Sequence, residues 1–296
     1  MKQGFVKVAS ATPRIRVADP VYNAQVICEQ AKEAAEHGAK IVVFPELCIT
    51  GYTCNDLFLQ ELLLEKAKEA LLTIVEETGQ LEALFLVGLP VDKDGRLYNV
   101  AAVLYRGRIL GMIPKKNIPM YAEFYEGRHF TPGEETVTEY RLGKQEIPFG
   151  TNLLFRCEEL PELILGCELC EDLWVAEPPS TSHALMGATV IANLSASNET
   201  VSKDDYRTLL VKASSARLLC GYIYTSAGEG ESTQDLVFGG HDLIAENGTL
   251  LAQSARFTTG ILYTDLDVLK ISSERRRMGT FGKRPMKPYL TVPFSM

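Results

Sequence analysis

The 296-residue sequence is poor in histidine, and its four, His37, His129, His183 and His241, lie far apart with no metal-spaced pair of the HExxH kind. No metal centre is expected from them, and no histidine base for a cysteine nucleophile is obvious. A run of roughly 20 apolar residues, the length of a membrane span, is absent. The start, MKQGFVKVASATPRIRVADP, also lacks an apolar stretch of signal-peptide length. The expectation is a cytoplasmic protein with no membrane segment. Positive charge is in short supply: 30 Lys and Arg stand against 38 Asp and Glu, a formal charge of -8. Such a surface is not built to displace counterions from nucleic acid or to sit on anionic lipid, so a small-molecule partner fits better. Seven cysteines, an odd number scattered through a long chain, argue against a disulfide framework. Cys167 and Cys170 form a CxxC, but no second CxxC or paired His supplies further zinc ligands, and Cys167 sits inside the apolar run LILGC.

What is present is a regular alternation of strand and helix patterns with 46% hydrophobic residues, enough for one large α/β core. GFVKVAS reads as a first strand, and Asp19-Pro20 opens a helical pattern that ends at His37-Gly38. AKIVVF is a short β-branched run of the kind buried on both faces of a sheet, and it stops at Pro45-Glu46. An amphipathic segment near 57–78 leads to LFLVGLP; LYNVAAVLYR and RILGMIPK then read as a hairpin around Arg106-Gly107, closed by Lys115. Residues 117–149, rich in Pro, Gly, Tyr and charge, read as a long functional loop with only local strand structure. In the second half, LILGCELCEDLW is a strand breaking at Cys170, and HALMGATVIANLS repeats the layout of AEHGAKIVVFPE. A helix near 203–219 and the strands GYIYTSA, HDLIAENGTLL and GILYTDLDV complete a pattern suited to two packed sheets flanked by helices.

Polar groups at the carboxyl ends of buried strands gather at one edge of an α/β sheet, where ligands bind. Glu46, Lys115, Cys170 and the segment Asn193 to Asn198 each follow such a strand. A carboxylate can move the thiol proton, an ammonium can favour the thiolate and hold a developing oxyanion, and the thiolate attacks. Each residue also has a structural use. Glu46 can cap a turn, Lys115 beside Lys116 can be a solvated basic pair, and Cys170 can be a buried hydrophobe. Glu168, Glu171 and Asp172 raise a nearby thiol pKa by like charge, so an active Cys170 requires Lys115 nearby.

FPELCITGYTCNDLF, IPKKNIPMYAEFYEGRHFTPG, GCELCEDLW and NLSASN resemble the signature blocks of the nitrilase, or carbon-nitrogen hydrolase, superfamily, from the first strand to about residue 268. YTCNDLF, IPMYAEFYEGRHF and CEDLW with NLSASNETVSK are most similar to the glutaminase domains of glutamine-dependent NAD synthetases. The resemblance implies an α/β fold of four α-β-β-α layers, a homo-oligomer built from dimers, and a Glu-Lys-Cys triad. On this sequence it makes Glu46 the base, Lys115 the charge stabiliser and Cys170 the nucleophile. It makes Glu123 in MYAEFYE the supporting glutamate, with Glu126 near enough to leave that assignment open. Substrate contacts implied in the same way are Tyr121, Phe124, Glu171, Ser197 and Lys203, with Tyr52 near the pocket mouth; the Lys203 position is often Arg in relatives.

The substrate so implied is L-glutamine, hydrolysed to glutamate and ammonia without a cofactor. ATP and an NAD precursor would belong to a synthetase domain or subunit, whose SGGxDS pyrophosphate loop this sequence does not contain. Residues 1–268 are then the hydrolase domain, and 269–296, with three prolines and clustered Lys and Arg, an extended arm or linker. The competing readings are a hydrolase of another small amide or N-carbamoyl compound, and a non-enzymatic subunit that keeps the fold.

Overall fold

The computed structural model describes residues 3–282 and 288–296. In chain order the strands of the first half are β1 (Phe5–Thr12), β2 (Ile41–Val43), β3 (Leu84–Lys93), β4 (Arg96–Tyr105), β5 (Arg108–Pro114), β6 (Thr138–Leu142) and β7 (Gln145–Phe149). The second half adds β8 (Leu153–Cys157), β9 (Ile164–Leu169), β10 (Val190–Ser195), β11 (Gly221–Ser226), β12 (Leu243–Glu246), β13 (Thr249–Gln253), β14 (Gly260–Asp267) and β15 (Leu290–Phe294). The helices are α1 (Pro20–Glu36), α2 (Glu61–Glu77), α3 (Pro179–Leu185), α4 (Lys203–Leu218) and α5 (Val268–Arg277).

Two mixed sheets result, ordered β14-β1-β2-β3-β4-β5-β7-β6 and β13-β12-β11-β10-β9-β8-β15. Period-two alternation sends each strand's side chains to two different cores. Leu84 and Leu86 of β3 enter the core between the sheets, while Phe85 and Val87 pack outward with Ile27 of α1 and Ile74 of α2. In the second sheet Ile223 faces the inter-sheet core, and Tyr222 and Tyr224 pack outward with Val211 of α4. With both faces of each sheet covered, the layers run α-β-β-α. Helix α1 begins as its sequence suggested: Asp19 accepts the backbone N–H of Tyr22 at 3.1 Å, and Pro20 occupies the first turn. None of the helices among the described residues is long and apolar enough to cross a membrane.

The C-terminal segment differs from the expected arm. Helix α5 follows β14 without a linker, and Arg275 donates to the carbonyls of Leu219 (2.9 Å), Ala188 (2.6 Å) and Leu218 (3.0 Å), groups left over where α3 and α4 end. Beyond it, β15 pairs in parallel with β8, from Leu290 beside Leu153 to Phe294 beside Cys157. The reason is burial: Phe294 enters the inter-sheet core and Val292 packs against it. Pro293 is tolerated because β15 is an edge strand, where a missing N–H breaks no ladder. Lys283, Arg284 and Lys287 of the expected basic arm lie outside the described residues.

Candidate active site

The topology brings three strand ends to one edge. β2 runs parallel to β1 and β3, and β5, reached through the antiparallel β4, points the same way; in the second sheet β9, β10 and β11 are parallel. Glu46 therefore leaves the first sheet just after β2, Lys115 just after β5, and Cys170 leaves the second sheet just after β9. The chain at Glu46 lies directly on β3. A Cβ added to Gly88 would stand 2.3 Å from Leu47 N and 2.6 Å from Pro45 O, so only glycine admits this path. Across the sheets, the Glu46 N–H donates to Ser195 O at 3.3 Å. Cys170 opens a short 3-10 turn (Cys170–Leu173) at φ +40°, a left-handed conformation that non-glycine residues adopt at a cost. Over this edge the loops close an apolar cluster that includes Tyr52, Phe58, Phe124, Phe130, Ala196 and Phe238.

Glu46 and Lys115 are fully buried, and Cys170 is 7% exposed. Lys115 Nζ donates to Glu46 Oε1 at 2.7 Å and to Glu126 Oε1 at 2.6 Å. An ammonium has three donors, so one remains for a further acceptor. Tyr52 donates its hydroxyl to Glu126 Oε1 at 2.8 Å, and Asn99 Nδ2, on β4, reaches Glu46 Oε1 at 2.7 Å and Glu126 Oε2 at 3.3 Å. Glu46 Oε2 is buried and has no hydrogen-bond partner among the described residues. It is an open acceptor.

Burial raises Glu46 to about 7, with Lys115 pulling it down and Glu126 pushing it up. Burial alone would lower Lys115, but Glu126 and Glu46 outweigh it and hold the ammonium well above its ordinary value. The Cys170 thiol is pushed up by burial first and by Glu46 next, against the pull of Lys115 and of the Ala196 backbone N–H. A resting thiolate stabilised by Lys115, the expectation from sequence, is therefore not what this arrangement favours. Burial first, and then the two carboxylates that surround the one ammonium, keep the proton on sulfur. The chemistry available is a neutral thiol, an acceptor for its proton and a cation with an unused donor.

The other expected residues fall into two groups. Tyr121 donates to both oxygens of Glu171, at 3.0 and 2.9 Å, and stacks edge-on with Phe124 at 5.8 Å. Lys203, at the start of α4, hydrogen-bonds Asn198 Oδ1 and lies 5.4 Å from the ring centre of Phe124 and 5.1 Å from that of Trp174. Burial lowers Lys203, while Cys170 and Glu123 act in the opposite sense. Ser197 accepts at its hydroxyl from the fully buried Arg207 at 3.2 Å, and Arg207 also donates to Asn198 O at 3.0 Å. Tyr52 donates its hydroxyl to Glu126 and lines a pocket together with Phe58, Glu123 and Glu126.

Glu123 is not the glutamate that meets Lys115. It accepts from Asn198 Nδ2 at 2.6 Å, on the Lys203 side of the site, and Glu126 takes the place expected for it. The cause is local: Ala122 turns the chain at φ +49°, and the 3-10 turn at Glu126–Arg128 then carries Glu126 inward to 5% exposure. Asn99, which holds both carboxylates, is not among the residues that the strand pattern singles out. Its signal was available, since an amide inside the apolar strand LYNVAAVL must find partners when buried.

Residues 7–276 match the family model for carbon-nitrogen hydrolases. The glutamine-dependent NAD(+) synthetase of Mycobacterium tuberculosis is 44% identical over 282 residues, which cover 95% of this chain and 42% of that protein. The chain thus spans less than half the length of this relative. Among solved structures, the glutamine-dependent NAD(+) synthetase of Cytophaga hutchinsonii superposes with a TM-score of 0.80 at 28% identity, over 88% of this chain and 43% of the other. An amidase from Nesterenkonia sp. superposes with a TM-score of 0.70 over 94% of this chain and 96% of its own, and at 20% identity it shares the fold. The fold, the extent of the family match and the similarity to these relatives agree: the chain is a member of the carbon-nitrogen hydrolase family.

Proposed function

We propose that this chain hydrolyses the side-chain amide of L-glutamine through a γ-glutamyl thioester on Cys170 and releases ammonia. The observation that carries the chemistry is Lys115 held between Glu46 and Glu126, with a donor to spare and an open oxygen on Glu46. As the sulfur attacks the amide carbon, the thiol proton passes to Glu46 and the carbonyl oxygen becomes an oxyanion held by Lys115. Collapse breaks the carbon-nitrogen bond, and Glu46 returns its proton to the departing nitrogen, so that ammonia leaves. A water then gives a proton to Glu46 and its hydroxide to the thioester carbon; the carbon-sulfur bond breaks, and Glu46 returns the proton to sulfur, freeing glutamate and the thiol. The net change is glutamine plus water to glutamate plus ammonia.

The polar groups around the site suit an amino acid. Glu171, already bonded by Tyr121, offers a carboxylate for the α-ammonium, and Lys203 offers a cation for the α-carboxylate. Phe124 closes the wall beside Lys203 and keeps bulk water away. Since the synthetase relatives are more than twice as long, we read the ammonia as passing to an ATP-using synthetase part that consumes it, in the same chain or in a partner. The test is release of ammonia and glutamate from glutamine, beside asparagine and a simple ω-amide, comparing the parent with Cys170→Ala. Glutamine-selective release lost in the variant is the expected result. Turnover of other amides alone would keep Cys170 as nucleophile and overturn the substrate, and release that persists in the variant would overturn Cys170.

A further inference from the structure

Lys115 and Cys170 belong to different sheets, so neither sheet's hydrogen-bond ladder sets the distance between them. The Asp172 side chain spans the gap. Asp172, 2% exposed, directs Oδ1 to the backbone N–H of Asn117 (2.8 Å) and to Asn117 Nδ2 (2.7 Å). Its Oδ2 accepts from the N–H of Leu169 at 3.0 Å and, more weakly, from that of Lys116 at 3.5 Å. Leu169 immediately precedes the nucleophile, and Lys116 and Asn117 immediately follow the lysine. We propose that Asp172 is a positioning residue that fixes the Cys170 turn against the end of β5, and so sets where sulfur and ammonium stand relative to a bound amide.

The residue type follows from the donors. All four groups around Asp172 are N–H, and only a carboxylate offers acceptors on both sides. A purely local role is the alternative, because the bond to Leu169 N also closes the 3-10 turn on itself. The Asn117 side is what such a cap does not need. Burial raises Asp172, and the N–H donors of Leu169 and Asn117 counter it, so its charge rests on those same contacts.

The inference uses the proposed roles of Lys115 and Cys170 but not the identity of the amide. Asp172→Asn keeps the volume and leaves one oxygen, so the amide group must face an N–H on one of the two sides. Two readouts are taken on the parent and the variant: ammonia release from glutamine, and the rate of Cys170 alkylation by iodoacetamide, followed by mass spectrometry. The expected result is a fall in kcat of about tenfold or more with KM within about threefold, and alkylation slowed by a similar factor, as misplacing reacting groups predicts. Unchanged alkylation and kcat, whatever the melting temperature does, would overturn the proposal, as would a rise in KM alone. Asn117→Leu removes only the side-chain donor and leaves Asp172 in place; it should slow both rates by about threefold in the same sense. If Asp172→Asn does not fold, Asn117→Leu decides the matter, and parent-like rates there refute the bridge. A parent that is inert to glutamine would sink the substrate reading while leaving the alkylation comparison valid.

Discussion

Asn99 donates to Glu46 at 2.7 Å through the carboxylate oxygen that also receives Lys115, so the other oxygen of Glu46 is the one left open. That bond also lowers the Glu46 pKa. Activity that needs ionised Glu46 should rise with pH through about 7. Asn99→Leu removes the donor and should move this rising limb to higher pH, with a loss of kcat/KM at neutral pH of about tenfold. A pH profile that does not move would show that Glu46 is not the group titrating.

Two glutamates three residues apart have separate partners in this geometry, Lys115 for Glu126 and Asn198 for Glu123. Glu126→Gln removes one of the charges that hold Lys115 and should lower kcat by about 100-fold. Glu123→Gln keeps an oxygen for Asn198 and should change KM by less than about fivefold with kcat preserved. Steady-state kinetics on both variants checks the assignment, and the reverse pattern would restore Glu123 as the supporting glutamate.

Cys170 carries its side chain at φ +40°, which costs about 1–2 kcal/mol relative to an ordinary backbone for a residue with a Cβ. Cys170→Gly should therefore be more stable than Cys170→Ala by about 1 kcal/mol, although both lack the sulfur. Chemical denaturation of the pair measures the difference. Equal stabilities would mean that the turn relaxes once the thiol is gone.

Burial raises Glu168 and Asp242, like Glu46, to about 7. Each binds its proton more tightly in the folded chain than in the unfolded one, so its contribution to stability is complete below its ordinary value and lost as pH rises through about 7. His241, lowered to about 4 from 6.5, works in the opposite sense but only below its ordinary value. Above about pH 6.5 the carboxylates set the sign, and the melting temperature should fall toward pH 8. Glu168→Gln should flatten that slope. A slope identical to the parent's would place the titration elsewhere.

The parts of the site that were readable in advance are those written into strand periodicity. β2, β5 and β9 announce themselves as apolar runs, and the polar residues that end them, Glu46, Lys115 and Cys170, could be placed at one edge before any geometry was known. What lay between 117 and 149 was not readable, because a loop's path depends on single backbone angles such as that of Ala122, and these decide whether Glu123 or Glu126 turns inward. Asp172 could be weighed only as a charge near the thiol. Its four donors come from two chain segments that sequence separates and the packed sheets unite. The C-terminal strand was hidden for another reason: prolines read as punctuation, and only burial of Phe294 reveals that LTVPF pairs.

That last strand bears on how the protein can be handled. Shortening the chain to residue 282 strips β15 from β8 and lays bare the hydrogen-bonding edge of LLFRC, four of whose five residues are buried in the intact sheet. An uncovered apolar edge of that kind is a template for strand pairing between molecules. The shortened protein should precipitate or self-associate while its buried Glu46, Lys115 and Cys170 remain untouched in sequence, and static light scattering of the two lengths at equal concentration would show it.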